Sequence, residues 1–324
     1  MSRLNYQKMK ESRLDLDLTQ KELSELTGVN INTIKQIETG RSGTDLENLK
    51  ILCEYLRLDL SLIYQPDFRD TRVLSVVNNK GGCGKTSVAT GIASSMAEFG
   101  SKVLLIDCDA QRNLSSSFGM PRSKYHLGRA MMEEQNLSAS GYIQQTPYEN
   151  IDIIVADVTM GTLDMQLFTK LNRENIFKSI LHPLIESGTY DYIICDTNPN
   201  LGLLNYNIIL ASDFCIVPVQ MAAFDVDGLA VVLDFIESVR RFNTGLDVGI
   251  VVNRYDARNK LISETSLAQL KEQYEPLLFQ QIIRVDAKLQ NAQWENRPVL
   301  DYACNTRISK EYRMLAKEVM KKCR

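Results

Sequence analysis

No part of this 324-residue chain approaches the ~18 consecutive apolar residues that a membrane-crossing helix needs. The opening MSRLNYQKMKESR also lacks the apolar centre of a secretory leader, so the expected location is the cytoplasm. Cysteines are present but never paired as CxxC. The seven, Cys53, Cys83, Cys108, Cys195, Cys215, Cys304 and Cys323, are scattered, which argues against zinc and against a disulfide framework. Those in or beside apolar runs, Cys108, Cys195 and Cys215, read as buried free thiols. An excess of one charge is missing too: Lys and Arg number 37 against 40 Asp and Glu, a net −3. Any contact with nucleic acid must therefore come from local patches. There is no internal repeat and no low-complexity segment. What remains, 44% hydrophobic and 24% charged residues, is a soluble globular composition, long enough for one large domain and an appendage.

The texture of the chain changes near residue 66. Up to Tyr64 it reads as short helices without a strand. Thr19-Gln20-Lys21-Glu22 has the S/T-x-x-E form of a capping box, followed by Leu23 and Leu26 at helical spacing. Gly28 supplies a turn, Ile31, Ile34 and Ile37 mark a second helix, and Gly40 fits its stop. Thr44-Asp45-Leu46-Glu47 opens a further helix with the same box. After a polar, proline-interrupted stretch come six short apolar, β-rich runs: VLSVV (73–77), VLLID (103–107), IDIIVA (151–156), YIICD (192–196), FCIVPV (214–219) and VGIVV (248–252). Amphipathic segments separate most of them, which indicates a mostly parallel sheet covered on both faces. The expected organisation is a small all-α unit over 1–66, a linker over 67–72 and an α/β domain over 73–324.

The first apolar run leads into NNKGGCGKTS and then into an alanine-rich helix. That strand–loop–helix context identifies a phosphate-binding loop. Gly81, Gly82 and Gly84 let backbone amides approach phosphate oxygens at a helix N-terminus. Lys85 would reach the β- and γ-phosphates, and the Thr86 hydroxyl would ligate Mg²⁺. Asn79 stands where the strict G-x-x-x-x-G-K-[ST] pattern has glycine; its tolerance of left-handed backbone would let the loop close. Lys80, ahead of the glycines, reads by itself equally well as a solvated loop lysine.

KGGCGKTS resembles the deviant Walker A motif of the ParA/MinD superfamily of dimeric ATPases. The resemblance implies that Lys80 crosses a dimer interface to touch the partner's ATP, and that Gly81, Gly82, Cys83, Gly84, Lys85, Thr86 and Ser87 together hold the nucleotide. VLLIDCDAQRNLSSSFG is similar to the family's D-x-D-P-Q-G-N segment, with Ala110 for proline and Arg112 for glycine. By that match Asp107 joins the Mg²⁺ shell, and Asp109 acts with Lys80 and Lys85 in catalysis by orienting the attacking water. YDYIICDTNPN looks like Walker B. Asp196 would hold Mg²⁺ through water, although Asn198 replaces a proline. Asn253 in VVNRYDARNK matches a position that contacts adenine; the proline expected beside the base is Arg284. VPVQMAAFDVDGL and KLQNAQWENRPVLDYACNTRISKEYRMLAKEV point toward partition ATPases of the ParA type. The ending EYRMLAKEVMKK reads as a packed terminal helix rather than the membrane-surface helix of MinD.

In partition ATPases the ATP dimer grips DNA nonspecifically. Arg258 and Lys288 match that role, with Lys260, Arg240, Arg241 and Arg284 as weaker additions; by charge alone all of them could be ordinary surface residues. LTQKELSELTGVNINTIKQIETG resembles the helix-turn-helix of Cro/cI-type repressors. There Asn32 and Gln36 share a helical face and can each bond adenine, while Gln20 lies near the DNA backbone. Nine basic against ten acidic residues in this unit make a weak stand-alone DNA binder, so a protein-contact role stays open. The expectation is a cytoplasmic, nucleoid-associated partition ATPase using ATP and Mg²⁺. It would work as an ATP-dependent homodimer with nonspecific DNA, an operator site and a ParB-like centromere adaptor, and with no membrane partner. The rivals are a nucleotide-sensing repressor and a MinD-like positioning ATPase.

Overall fold

The computed structural model describes residues 3–40, 46–65, 70–133, 138–221 and 226–323. The chain divides into two compact units, Met1–Arg69 and Asp70–Arg324.

The first unit contains α1 (Tyr6–Asp15), α2 (Gln20–Thr27), α3 (Ile31–Glu38), α4 (Leu46–Tyr55) and α5 (Leu60–Ile63). The Thr19–Glu22 capping box forms with both reciprocal bonds. Gly28 and Gly40 take φ of 74° and 67° at the ends of α2 and α3, the left-handed values a helix stop favours. Leu23, Ile34 and Ile37 pack with Met9, Leu49 and Leu52, all nearly solvent-free. Leu26 departs from the periodic reading and is exposed. A buried ion pair, Arg13 to both oxygens of Glu38 at 2.7 and 2.9 Å, ties α1 to α3. A two-residue antiparallel ladder, β1 (Arg3–Leu4) with β2 (Tyr64–Gln65), contradicts the strandless reading of this region. Two residues are too few to show a period. Thr44 and Asp45 of the second expected capping box lie outside the described residues, as do 67–69 of the expected linker; Arg72 already belongs to a strand.

The second unit is built on β3 (Arg72–Val76), β4 (Val103–Cys108), β5 (Gln144–Gln145), β6 (Ile151–Ile154), β7 (Tyr192–Thr197), β8 (Phe214–Gln220) and β9 (Asp247–Asn253). They lie in the order β5-β6-β4-β7-β3-β8-β9. All pairings are parallel except that of the short edge strand β5, which the sequence did not signal. Neighbouring residues on one strand go to opposite faces. Leu74, Leu105 and Ile194 join one core with α6 (Lys85–Glu98), whereas Val73, Leu104 and Ile193 join the other. The second face carries α8 (Leu127–Met132), α10 (Ile176–Ser187) and α11 (Leu203–Leu210), after the short α7 (Asn113–Ser117) and α9 (Leu163–Phe168). Then follow α12 (Val226–Arg240), α13 (Lys260–Tyr274), α14 (Ala287–Trp294), α15 (Val299–Tyr302) and α16 (Arg307–Lys322).

The terminal helix packs as expected. Ile308, Tyr312, Leu315, Ala316 and Val319 are buried in the first core, against α6. Gly91 of α6 makes this possible: a Cβ there would fall 2.3 Å from the Tyr312 ring. Glu318 accepts the amides of Gln280 and Gln281 at 2.8 and 2.9 Å. No described helix is long and apolar enough to cross a membrane. Because the strands run parallel, the segments after β3, β4, β7 and β9 all emerge at one edge of the sheet, where a crevice is expected.

Candidate functional site

The loop after β3 closes on two glycines, with φ of 75° at Gly82 and 95° at Gly84. Asn79 is not in the left-handed region, so the tolerance invoked for it plays no part; Gly82 and Gly84 provide the reversal. A side chain on Gly84 would meet the Asn253 amide at 2.2 Å. The Asn253 amide itself donates to the Cys83 carbonyl at 2.7 Å, which ties the end of β9 to the loop. Its oxygen is buried without a hydrogen-bond partner. Cys83 is a buried apolar plug whose thiol is pushed up by burial.

Lys85 begins α6 and is almost fully enclosed. Its ammonium donates to the carbonyls of Asn78 and Lys80 at 3.0 and 3.3 Å. It lines a crevice of about 520 Å³ together with Gly81, Gly82, Gly84, Thr86, Ser87, Asp109, Pro199, Arg254, Gln293 and Asn296. That volume falls within the range of small-molecule sites. A second cavity of about 190 Å³ adjoins it, lined by Gly84, Ser87, Asn253, Arg254, Arg284, Leu289 and Gln293 among others. Lys80 lines neither. It borders a third cavity, of about 240 Å³, with Asn78, Val219 and Leu229.

Two carboxylates sit behind the loop on adjacent strands, Asp107 of β4 paired in register with Asp196 of β7. Asp196 is buried, and neither carboxylate oxygen has a hydrogen-bond partner. Burial, reinforced by Asp107, pushes it up to about 8; the nearby Thr86 hydroxyl and Lys85 offset only part of that. Asp107 rises to about 6, again by burial, but its oxygens are occupied. They accept from the Asp109 amide at 3.2 Å and from the Ser115 amide and hydroxyl at 2.8 and 2.6 Å. Asp107 thus organises the loop into α7 and directs Asp109 toward the crevice. Among the described residues no three His, Cys, Asp or Glu converge on one point. A cation here would rest on Asp196, Thr86 and oxygens from a ligand, the sparse protein coordination that suits Mg²⁺.

The sequence departures have local compensations. Arg112, in glycine's place, adopts φ 57°. Its guanidinium donates to the carbonyls of Ala156 at 2.9 Å, Met120 at 3.3 Å and Pro121 at 2.9 Å. Arg112→Gly is expected to relieve the backbone but leave three carbonyls without that donor, a net loss of about 1–3 kcal/mol. Arg112→Ala keeps the strained backbone and should lose about 1 kcal/mol more. Denaturant midpoints in the order wild type, glycine, alanine would bear this out; a glycine variant as stable as wild type would refute it. Asn198, in proline's place, accepts the Asn200 amide at 2.9 Å, and the Asn205 side chain bonds the carbonyls of both. Asp164 pins the same loop from α9 through Asn200 and the Leu204 amide. Asp164, Asn205, Gln293 and Arg254 were not legible in the sequence as site residues.

The residues expected at DNA belong to both units, three to the first and two to the second. Asn32 and Gln36 lie exposed on α3, away from the buried Ile34 and Ile37. The Gln20 amide donates to Glu38 at 2.7 Å, inside its own unit. Arg258 donates two hydrogen bonds to the Asp256 carboxylate, 2.9 and 2.8 Å, and holds that carboxyl down to about 2. Lys288 is exposed in the first turn of α14. The loop bearing Arg258 and the segment leading into α14 are stitched together by Tyr255 N to Ile283 O and Val285 N to Tyr255 O, each 3.0 Å. Of the weaker additions, Lys260, Arg240 and Arg284 are paired with Glu264, with Glu237 and Asp247, and with Glu311.

Residues 71–248 match the family described as AAA domain, and residues 9–63 match that described as helix-turn-helix. The chain is 31% identical to the chromosome partitioning protein ParA of Caulobacter vibrioides, over 77% of this chain and 94% of that one. It is 29% identical to the sporulation initiation inhibitor protein Soj of Bacillus subtilis, over 76% of this chain and 98% of that one. A solved cobyrinic acid a,c-diamide synthase of Mycobacterium smegmatis, with bound ADP and magnesium, is similar with a TM-score of 0.66. It is 26% identical, covering 78% of this chain and 94% of that one. One fold thus carries partition and synthase names, and the chemistry has to be argued from the site.

Proposed function

The chain belongs to the ParA/MinD family of AAA-domain ATPases, with a helix-turn-helix module ahead of that domain, and from that premise we propose that it is an ATP-dependent DNA-partition ATPase. The observation that carries the catalytic part is Asp196. A buried carboxylate with two unpartnered oxygens, behind a loop presenting Lys85 and Thr86, fits a site completed by a magnesium nucleotide. Thr86 and Asp196 would hold the Mg²⁺ of such a nucleotide, which would supply charge neutralisation at the phosphates.

The chain's own residues do the rest. Lys85 exchanges loop carbonyls for phosphate oxygens, and the amides of Gly81 to Ser87 hold the remainder of the polyphosphate. Asp109 accepts from the attacking water, held in place by Asp107 beneath it. The unpartnered Asn253 oxygen is available to the adenine amino group in the smaller cavity. Lys80, bordering a cavity apart from that of Lys85, suits a residue that reaches the nucleotide of a second subunit and so makes ATP the adhesive of a homodimer. Compensation at Arg112 and Asn198 supports turnover over mere nucleotide sensing.

DNA binding would follow dimerisation. Arg258 and Lys288 rise from a loop and a helix start whose leading segment is hydrogen-bonded to it, and Arg258 exchanges Asp256 for a backbone phosphate when DNA arrives. Asn32 and Gln36 would read an operator for autoregulation, Gln20 would stand behind them, and a ParB-like adaptor would stimulate hydrolysis on the nucleoid. The decisive experiment measures binding of a random-sequence duplex by residues 70–324, with ATP and with ADP, across a salt series. Tight binding with ATP alone is expected. Its log K should fall with log salt about twice as steeply as one subunit's phosphate contacts predict. Equal binding with ADP, or none with either, would overturn the DNA-holding dimer.

A further inference from the structure

Arg254 holds no place in the roles above, yet it is one of four residues that line both cavities of the site. It follows Asn253 at the end of β9 with φ 52°, a left-handed backbone that glycine takes without cost and arginine does not. Its guanidinium Nη1 donates to the Gly82 carbonyl at 3.1 Å, across 172 positions of sequence. A single exposed hydrogen bond to a neutral carbonyl barely offsets that backbone cost, so the contact alone is a poor reason for the conformation.

Its position gives a better one. Arg254 lines both the 520 Å³ crevice over the loop and the 190 Å³ cavity that holds Asn253, and the two share only Gly84, Ser87, Arg254 and Gln293. It therefore stands at the waist between the space over the glycines and the space beside Asn253. Its side chain is exposed, and among the described residues no carboxylate pairs with it. A planar, permanently charged fork that is not neutralised, aimed across loop amides, matches two oxygens of a diphosphate.

We propose that Arg254 is a phosphate-gripping residue of its own subunit: on nucleotide binding its guanidinium leaves the Gly82 carbonyl and bridges the diphosphate common to ATP and ADP. This rests on the nucleotide reading given above. It makes Arg254 distinct from Lys80, whose proposed contact requires a second subunit, because the Arg254 contact forms in the monomer and with ADP.

The test is calorimetric titration of the full chain and of Arg254→Gln, Arg254→Lys and Arg254→Gly with Mg-ADP, Mg-ATP and adenosine. Glutamine can still donate to the Gly82 carbonyl but carries no charge, and glycine removes both the side chain and the backbone strain, so a folding defect in one is not shared by the other. Both should bind Mg-ADP and Mg-ATP about tenfold to a hundredfold more weakly, the range of one charge-assisted hydrogen bond. Lysine should recover part of the loss, and adenosine should bind all four proteins alike. Mg-ADP binding by the glutamine variant within twofold of wild type would overturn the proposal, as would an equal loss for adenosine. If wild type itself binds no adenine nucleotide, the underlying reading fails and this one with it, a result distinct from variants that match a binding wild type.

Discussion

Replacing Lys80 with alanine is expected to weaken the ATP-bound dimer about a thousandfold or more while changing ATP affinity of the single subunit by only a few-fold. The asymmetry follows from where the two lysines stand. Lys85 lines the crevice with Thr86 and Asp109, whereas Lys80 borders a separate cavity that shares no lining residue with it. The Lys80 backbone is already fixed, its amide on Asn78 Oδ1 at 2.8 Å and its carbonyl on the Lys85 ammonium at 3.3 Å, so alanine leaves the loop's course intact. In a two-fold dimer the substitution removes the crossing contact twice. Each desolvated charge contact of this kind costs about 2 kcal/mol or more on truncation, so the pair costs about 4 kcal/mol, roughly three decades in the dimer constant. Sedimentation velocity with ATP under non-turnover conditions reads the dimer, and titration at low protein concentration reads the monomer. An alanine variant that stays dimeric at the concentration where wild type is dimeric would remove Lys80 from the interface.

The strands and the loop were legible because they obey short-range rules. All six apolar runs became strands of one sheet, since continuous Val, Ile and Leu segments have both faces to bury. The Thr19–Glu22 box and the two helix-ending glycines were legible for the same reason. Where the reading faltered, the cause was range or brevity. β1, β2 and β5 are two residues each and carry no period. Leu26 keeps helical spacing, but the turn it occupies is not covered. The departure at Arg112 looked like a threat to the loop because its remedy is tertiary: a guanidinium reaching the carbonyl of Ala156, 44 residues on. Asp164 closing the loop after β7 and Arg254 reaching Gly82 are contacts of the same long-range kind. Only the resemblance suggested Asp107 for the metal shell; that its oxygens also accept from the Asp109 amide and from Ser115 was not legible.

Asp196→Asn should make the protein more stable and inactive at once. In the absence of nucleotide and Mg²⁺, the unfolded Asp196 releases its proton near 3.8 and the folded one only near 8. Between those values the folded state holds the extra proton, so stability is greatest below about pH 4 and falls as pH rises through 8. By pH 8.5 the penalty is on the order of 5 kcal/mol. Asp107, raised to about 6, adds a loss of the same sign over a lower window. Asparagine has nearly the same shape and no charge to bury. Its unfolding midpoint should therefore change little between pH 6 and 8.5 while that of wild type drops, and at pH 8.5 it should exceed wild type. Parallel pH profiles for the two proteins would show that Asp196 is not the strained group. Magnesium nucleotide closes the argument, because a divalent cation relieves the buried charge that burial alone penalises. It should stabilise wild type more at pH 8 than at pH 6, stabilise the asparagine variant less at both, and support turnover only in wild type.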